Sequence, residues 1–373
     1  METTNSYAVI DLEALRSNYR FVKSHNPEKE AIAIVKADSY GHGSVRCARA
    51  LYEEGVRYFA VANLDEAEEL LEGLSLKDIS VLILGYVDEH RLDEIVEHGI
   101  ISGIYSLEYA RLLNEASLRA GKVTRVHLKI NTGMNRLGFD PLSEGFGDKV
   151  REIVSMKGLT VRGIFSHYST ADEEDLSYAE RQRKIFEDTV ETVRKAGAPL
   201  EMVHISNSAA AMVFDCPVSN AFRPGLVLYG YSPLPGNRMQ ENLKPVMSIY
   251  AHIANIFELR AGESISYGRR YTAESDRKIA TVTIGYADGY SRAFSNRSFV
   301  IANGKKAPVR GSVCMDMIMC DITGIEGLRV GDIVEVLGPE VDANLLASLA
   351  DTIPYEITCD ISKRVKRIYR EGK

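Results

Sequence analysis

Cysteine is scarce in this chain. Its five residues, Cys47, Cys216, Cys314, Cys320 and Cys359, are odd in number and form no C-x-x-C pair. They read as buried or free thiols in a reducing compartment. No apolar stretch is long enough to cross a bilayer, and Met1–Ile10 lacks the basic start and apolar core of a signal peptide. The expectation is therefore a cytoplasmic protein without a membrane partner. Low-complexity tracts are absent. Basic charge is not in surplus: 45 Lys and Arg against 52 Asp and Glu leave −7, which argues against a general attraction to nucleic acid. The one basic cluster, Ser362–Arg367, is explained as well by a solvated final strand as by an anionic partner.

What remains is an ordinary globular composition, 45% hydrophobic and 26% charged over 373 residues, a length for which two domains are the default. Through about residue 235, short apolar runs alternate with longer amphipathic ones. The strands predicted are Ala31–Val35, Tyr58–Ala62, Ser80–Leu84, Ile101–Tyr105, Val126–Ile130, Val161–Ser166, Met202–Ser206 and one near Ala221–Arg223. Helical patterns lie between them, and one more, Leu12–Lys23, precedes the first strand. Asn63, Asp88 and Ser106 stand where N-caps belong, and Gly55, Gly73, Gly99, Gly121 and Gly197 where helices stop. Eight such units are the count for a closed (β/α)8 TIM-type barrel. A doubly wound open sheet is the competitor, but no G-x-G-x-x-G follows an early strand. From residue 236 to 373, short β-branched runs with glycine-bearing turns predict a second, mostly antiparallel β domain, which residues 1–11 could join as a first strand.

Barrel chemistry sits at the C-terminal ends of the strands, with phosphates often held after strands seven and eight. Lys36 ends the first strand, in Val35-Lys36-Ala37-Asp38-Ser39-Tyr40-Gly41-His42-Gly43. One reading is a solvated strand end; the sharper one is a desolvated amine able to attack a carbonyl. Arg136 follows strand five, His167 ends strand six, Asn207-Ser208 follows strand seven, and Arg223-Pro224-Gly225 closes strand eight. Ser208 has the place of an N-cap and offers a hydroxyl to an anion. Each residue has a bland explanation; their convergence on one barrel face is harder to dismiss.

Several ordered segments resemble alanine racemase, of the pyridoxal-phosphate, barrel-plus-β-domain type. They are Val35-Lys36-Ala37-x-x-Tyr40-Gly41-His42-Gly43, Lys129-x-x-Thr132-Gly133-Met134-x-Arg136-Leu137-Gly138 and His204-x-x-Asn207-Ser208-Ala209. The set continues with Arg223-Pro224-Gly225-x-x-Leu228-Tyr229-Gly230, Ser266-Tyr267-Gly268, Gly285-Tyr286-Ala287-Asp288-Gly289, Val313-Cys314-Met315-Asp316 and Tyr355-Glu356-Ile357. The resemblance implies that Lys36 holds pyridoxal 5'-phosphate covalently and later acts as one base. It makes Tyr267 the second base, contributed across a homodimer. His167 and Arg223 resemble the network behind that tyrosine, with Arg223 donating to the pyridine nitrogen. Tyr40, Asn207, Ser208, the amides around Gly225 and Leu226, and Tyr355 resemble the cofactor- and phosphate-binding group. Arg136 and Met315 match the substrate-carboxylate end. Lys129, carbamylated in some members, matches a brace for the arginine; Tyr286 and Asp316 are supporting residues. No metal is implied.

The chain departs from the common family pattern at Asp38, Ser39, Asn131, Ser312 and Met317, which stand where asparagine, alanine, aspartate, arginine and glutamine are usual. The function this implies is interconversion of L- and D-alanine, an isomerase step that supplies D-alanine for a bacterial cell wall. Alternatives are a racemase for another small amino acid such as serine, or a barrel that only handles the cofactor. Tyr286 and Tyr355 beside the α-carbon would favour a methyl side chain. Two bases suit the chemistry, because one proton must leave one face of the carbon and another return to the opposite face.

Overall fold

The structure, a computed structural model, describes residues 5–372. The chain forms two compact units. One comprises Arg16–Ser39 and Ser44–Leu243; the other comprises the chain through Leu15, the short insert Tyr40–Gly43, and the chain from Lys244 onward.

In chain order the strands begin with β1 (Ser6–Asp11). Next come β2 (Glu30–Ile34), β3 (Tyr58–Val61), β4 (Ser80–Ile83), β5 (Ile101–Ile104), β6 (Thr124–Lys129), β7 (Leu159–Phe165), β8 (Met202–His204) and β9 (Ala221–Phe222). Strands β2 to β9 are parallel and close into a barrel, with Glu30 and Ala31 of β2 paired to Ala221 and Phe222 of β9. The strands are nearly continuous runs of buried residues, as expected where both faces of a parallel sheet are covered. The titratable side chains buried among them, His127, Lys129 and His204, with Arg223 directly after β9, need a reason.

The helices follow their local signals with instructive deviations. Ser106 accepts the Tyr109 N–H at the start of Leu107–Arg119, whose buried Tyr109, Ala110, Leu113 and Ala116 form one stripe. Asn63 likewise caps Leu64–Leu74. That helix runs through Gly73 and stops at Ser75, which is left-handed with φ 52°. Gly73 is present for packing rather than termination: a Cβ there would meet Val45 Cγ2 at 2.4 Å. Asp88 caps only a 3-10 turn, Glu89–Arg91, before the helix Leu92–His98. At the short helix Ser208–Val213 the N-cap is Asn207, which accepts the Ala210 N–H at 3.0 Å, so Ser208 is the first helical residue. Among the described residues no helix is long and apolar enough to cross a membrane.

The second unit contains β10 (Met247–Leu259), β11 (Ser264–Ile265), β12 (Tyr271–Thr272), β13 (Arg277–Val282), β14 (Phe299–Ala302), β15 (Lys305–Pro308), β16 (Ile318–Asp321), β17 (Ile333–Leu337) and β18 (Lys366–Arg370). An eight-stranded, mostly antiparallel sheet has the order β15-β14-β17-β10-β1-β18, with β13 joining β10 to β16; β11 and β12 form a separate hairpin. β1 pairs antiparallel with β10 and parallel with β18, so the basic tail does end in a strand. The helix Pro354–Cys359, which carries Tyr355, starts with proline in its first turn and has no side-chain cap.

Candidate active site

Directly after β2 the chain makes a left-handed helical turn. Ala37, Asp38, Ser39 and Tyr40 have φ of 51–54° and Gly41 has 84°. Four consecutive non-glycine residues in this region are strained, and such strain persists only when the surroundings over-determine it. Two carboxylates do part of that work. Glu66 accepts the Ala37 N–H at 2.9 Å through one oxygen and the Ala62 N–H at 2.8 Å through the other; Asp38 accepts the Ser44 N–H at 2.7 Å. Lys36 is thereby set at the C-terminal mouth of the barrel.

Around it the barrel gathers cations. Register places Lys129, Phe165 and His204 in one row across β6, β7 and β8. The Lys129 ammonium lies 4.9 Å from the Phe165 ring centre, and His204 stacks on that ring at 5.1 Å and 6°. Lys129 is 8% exposed; burial first, then the charges of Arg223, Arg136 and Lys36, brings its pKa down to about 7. Arg136 sits on the Ile130–Phe139 loop, lining a small depression with Lys129, Met134, Leu137, Ser166 and His167. Asn131 shapes that loop by accepting the Gly133 and Asn135 N–H groups at 3.1 and 2.9 Å.

Arg223 is the hub. Its Nη1 donates to the His204 Nδ1 at 2.9 Å and the His204 carbonyl at 3.0 Å. Its Nη2 donates to the Ser166 and Ile205 carbonyls at 2.6 and 3.0 Å and to the His167 Nδ1 at 3.0 Å. His204 continues to His127 at 2.9 Å. Burial lowers Arg223 only to about 9, so it stays protonated at neutral pH. Burial, reinforced by the Arg223 charge, keeps His167 and His204 well below the ordinary imidazole value, hence neutral. Because a guanidinium can only donate, the Nδ1 of each of these histidines must accept and the proton resides on Nε2. His204 therefore donates to the His127 Nδ1, and His167 retains an Nε2–H to offer elsewhere. Gln182, fully buried, fixes the backbone of this corner by donating to the His167 carbonyl at 3.0 Å. Ser208 Oγ accepts the Gly225 N–H at 2.8 Å, and Leu226 opens a buried 3-10 turn beside it.

The second unit holds the remaining candidates. Tyr40 and Tyr355 face each other with ring centres 5.7 Å apart, and burial pushes the Tyr40 phenol far above its ordinary value. Gly41 allows that approach, since a Cβ there would fall 2.1 Å from the Thr358 carbonyl oxygen. Tyr286 and Met315 are neighbours, with the Tyr286 and Ala287 N–H groups donating to the Cys314 and Met315 carbonyls at 3.0 Å. Asp316 accepts from Arg364 at 2.7 Å. Tyr267 is 71% exposed and Met315 52%, unusual for large apolar side chains. Sequence reasoning missed Glu66, Phe165, His127 and Gln182, and no motif announced any of them.

A parallel barrel with a lysine at the end of its first strand, a buried Arg–His network and a β unit bearing an exposed tyrosine defines a class, the barrel-type amino-acid racemases. The comparisons narrow it. The model for the alanine racemase N-terminal domain matches residues 10–233 and that for the C-terminal domain residues 246–369. The chain is similar to the alanine racemase of Geobacter sulfurreducens, at 44% identity over 99% of this chain and 98% of that one. It is also similar to solved structures. One is the alanine racemase of Clostridium difficile 630 in complex with cycloserine (TM-score 0.92, 35% identity, covering 100% and 97% of the two chains). Another is that of Bartonella henselae with covalently bound pyridoxal phosphate (TM-score 0.88, 28% identity, covering 99% and 100%). The chain belongs to the alanine racemase family, and it is an isomerase.

Proposed function

We propose that this chain interconverts L- and D-alanine with pyridoxal 5'-phosphate held at Lys36, using Lys36 and Tyr267 as bases on opposite faces of the α-carbon. The observation that carries the reading is the cluster of cations around Lys36: after burial, the charges that bear on Lys129 and His167 in this corner are those of Arg223, Arg136, Lys129 and Lys36, with no carboxylate among them. Such a surplus suits an anionic group and an amino-acid carboxylate. Ser208, whose Oγ is occupied as acceptor by Gly225 N–H, keeps its own hydroxyl proton for a phosphate oxygen. The donor set therefore fits the cofactor named for the Bartonella henselae neighbour. When bound, that group supplies the delocalisation that makes an amino-acid α-hydrogen removable.

The protein's own residues do the rest. Lys36 and Tyr267 each take or return one proton at the α-carbon. The Arg223–His167 pair offers an Nε2–H to the second base and favours its phenolate form. Arg223, which can only donate, would hold the pyridine nitrogen of the cofactor in its unprotonated form, which would limit electron withdrawal and favour reprotonation over transamination. Arg136 and Met315 hold the substrate carboxylate end, with Lys129 behind the arginine. Tyr40, Tyr355, Asn207, Gly225 and Leu226 complete the phosphate end, while Tyr286 and Asp316 support it. Tyr267 acts across a homodimer in the cytoplasm.

The test is complementation. Lys36→Ala and Tyr267→Phe each lower alanine racemisation by about 10²–10⁴-fold, the usual contribution of a positioned proton-transfer group. Mixing the two variants with verified subunit exchange restores activity, followed as loss of optical rotation. No recovery defeats the shared site. Serine, run in parallel, turns over more slowly, by the roughly 10–200-fold that a small pocket difference can impose.

A further inference from the structure

The backbone that presents Tyr267 is strained. Ser266 has φ 65° and ψ −179°, a region in which a side chain is strongly disfavoured, and Gly268 and Arg269 follow at φ 71° and 49°. The phenol is 71% exposed, so its own burial does not hold it in place. A neighbouring segment does. Ser312, 2% exposed, donates its hydroxyl to the Tyr267 carbonyl at 2.8 Å, and Ser266 donates its hydroxyl back to the Ser312 carbonyl at 2.6 Å. Asn296 extends the clasp: its amide donates to the Arg270 carbonyl at 3.0 Å while its oxygen accepts the Gly311 N–H at 2.6 Å. Gly311 permits the approach, because a Cβ there would lie 2.9 Å from both the Ile265 carbonyl oxygen and the Ser266 Cβ.

We infer that Ser312, through its reciprocal hydrogen bonds with the Tyr267 carbonyl and the Ser266 hydroxyl, is a positioning residue for proton transfer at Tyr267. The inference rests on the reading of Tyr267 as a base. The short hydroxyl of Ser312 reaches the backbone that carries the phenol. Without it the segment relaxes from its strained conformation and the phenol drifts, which a proton transfer to carbon does not tolerate.

The experiment uses the holoenzyme and the variants Ser312→Ala, Ser312→Cys and Ser312→Thr. Loss of the hydroxyl in Ser312→Ala lowers kcat by about 10–100-fold, the range expected for misplacement of a reacting group by about 1 Å. The α-deuterium isotope effect rises with the enantiomer whose hydrogen Tyr267 removes and falls with the other, since only one of the two proton transfers has become slower. Hydrogen exchange accelerates over residues 264–270 and not elsewhere. Ser312→Thr keeps the donor and restores both readouts; Ser312→Cys, close in volume with a weak donor, behaves as Ser312→Ala and serves if the alanine variant does not fold. Wild-type isotope effects in both directions together with wild-type exchange overturn the inference. A Tyr267→Phe control with unaltered isotope effects overturns the base assignment beneath it, and the inference with it.

Discussion

Lys129 shows what a single buried charge does to this barrel. Its pKa in the folded chain is about 7, against an ordinary lysine value of 10.5. Below pH 7 the amine is protonated in both states, and the folded chain carries the whole cost of burying it. Between pH 7 and 10.5 only the unfolded chain holds the proton, so stability rises with pH across that window. Lys129→Met removes the cost. In carbon-dioxide-free buffer its denaturation midpoint exceeds that of the wild type at pH 7, and the advantage disappears as pH approaches 10.5. A pH-independent difference would contradict the assignment. The neutral amine is also the form that carbamylation requires. Arg223, by contrast, remains a cation because two imidazoles and three carbonyls accept from it. The Cβ clearance of 2.5 Å at Gly163 belongs to the same network, since only glycine leaves room for the His127 ring.

At the scale of elements, the left-handed turn Ala37–Gly41 is the least expected piece. Its residues carry no turn signature that forbids an ordinary right-handed start, and the strain is met by partners distant in sequence. Glu66 is the clearest of these, because its two oxygens serve the N–H groups that end β3 and begin the turn. Glu66→Gln replaces one acceptor by a donor facing an amide, and a loss of about 0.5–1.5 kcal/mol, that of one hydrogen bond at a partly exposed site, is expected. Urea unfolding checks the stability, and a red- or blue-shifted cofactor absorbance checks whether Lys36 has moved. The barrel strands themselves were legible, because parallel strands buried on both faces read as short apolar runs. Caps such as Asn63 and Ser106 were legible for the same local reason. Gly73 was misread as a stop, since a glycine needed for contact with Val45 looks identical in sequence to one needed for φ > 0. Ser208 lost the cap to Asn207, one residue earlier, and the hairpin β11–β12 was too short to show a period.

At the scale of the whole molecule, the proposed sharing of the second base between copies would make the enzyme active only as an oligomer. Specific activity is expected to fall on dilution through the dimer dissociation range, with sedimentation velocity reporting the same midpoint; activity independent of concentration where monomer predominates would refute the shared site. The order of motifs along the chain, the barrel and the β-rich second half were determined by the sequence, because strand periodicity and glycine turns are local and one-dimensional; Lys36, Arg136 and Arg223 stood out at strand ends, while Tyr267 was singled out only by the family resemblance. Only the tertiary structure decided that β1 belongs with β10 and β18, that Lys129, Phe165 and His204 share a row, that a guanidinium sets the tautomers of His167 and His204, and that Ser312 grips the strained backbone of Tyr267. Each of these pairs residues tens to hundreds of positions apart, and no local preference encodes a hydrogen bond whose partner is chosen by how the strands register and the loops close.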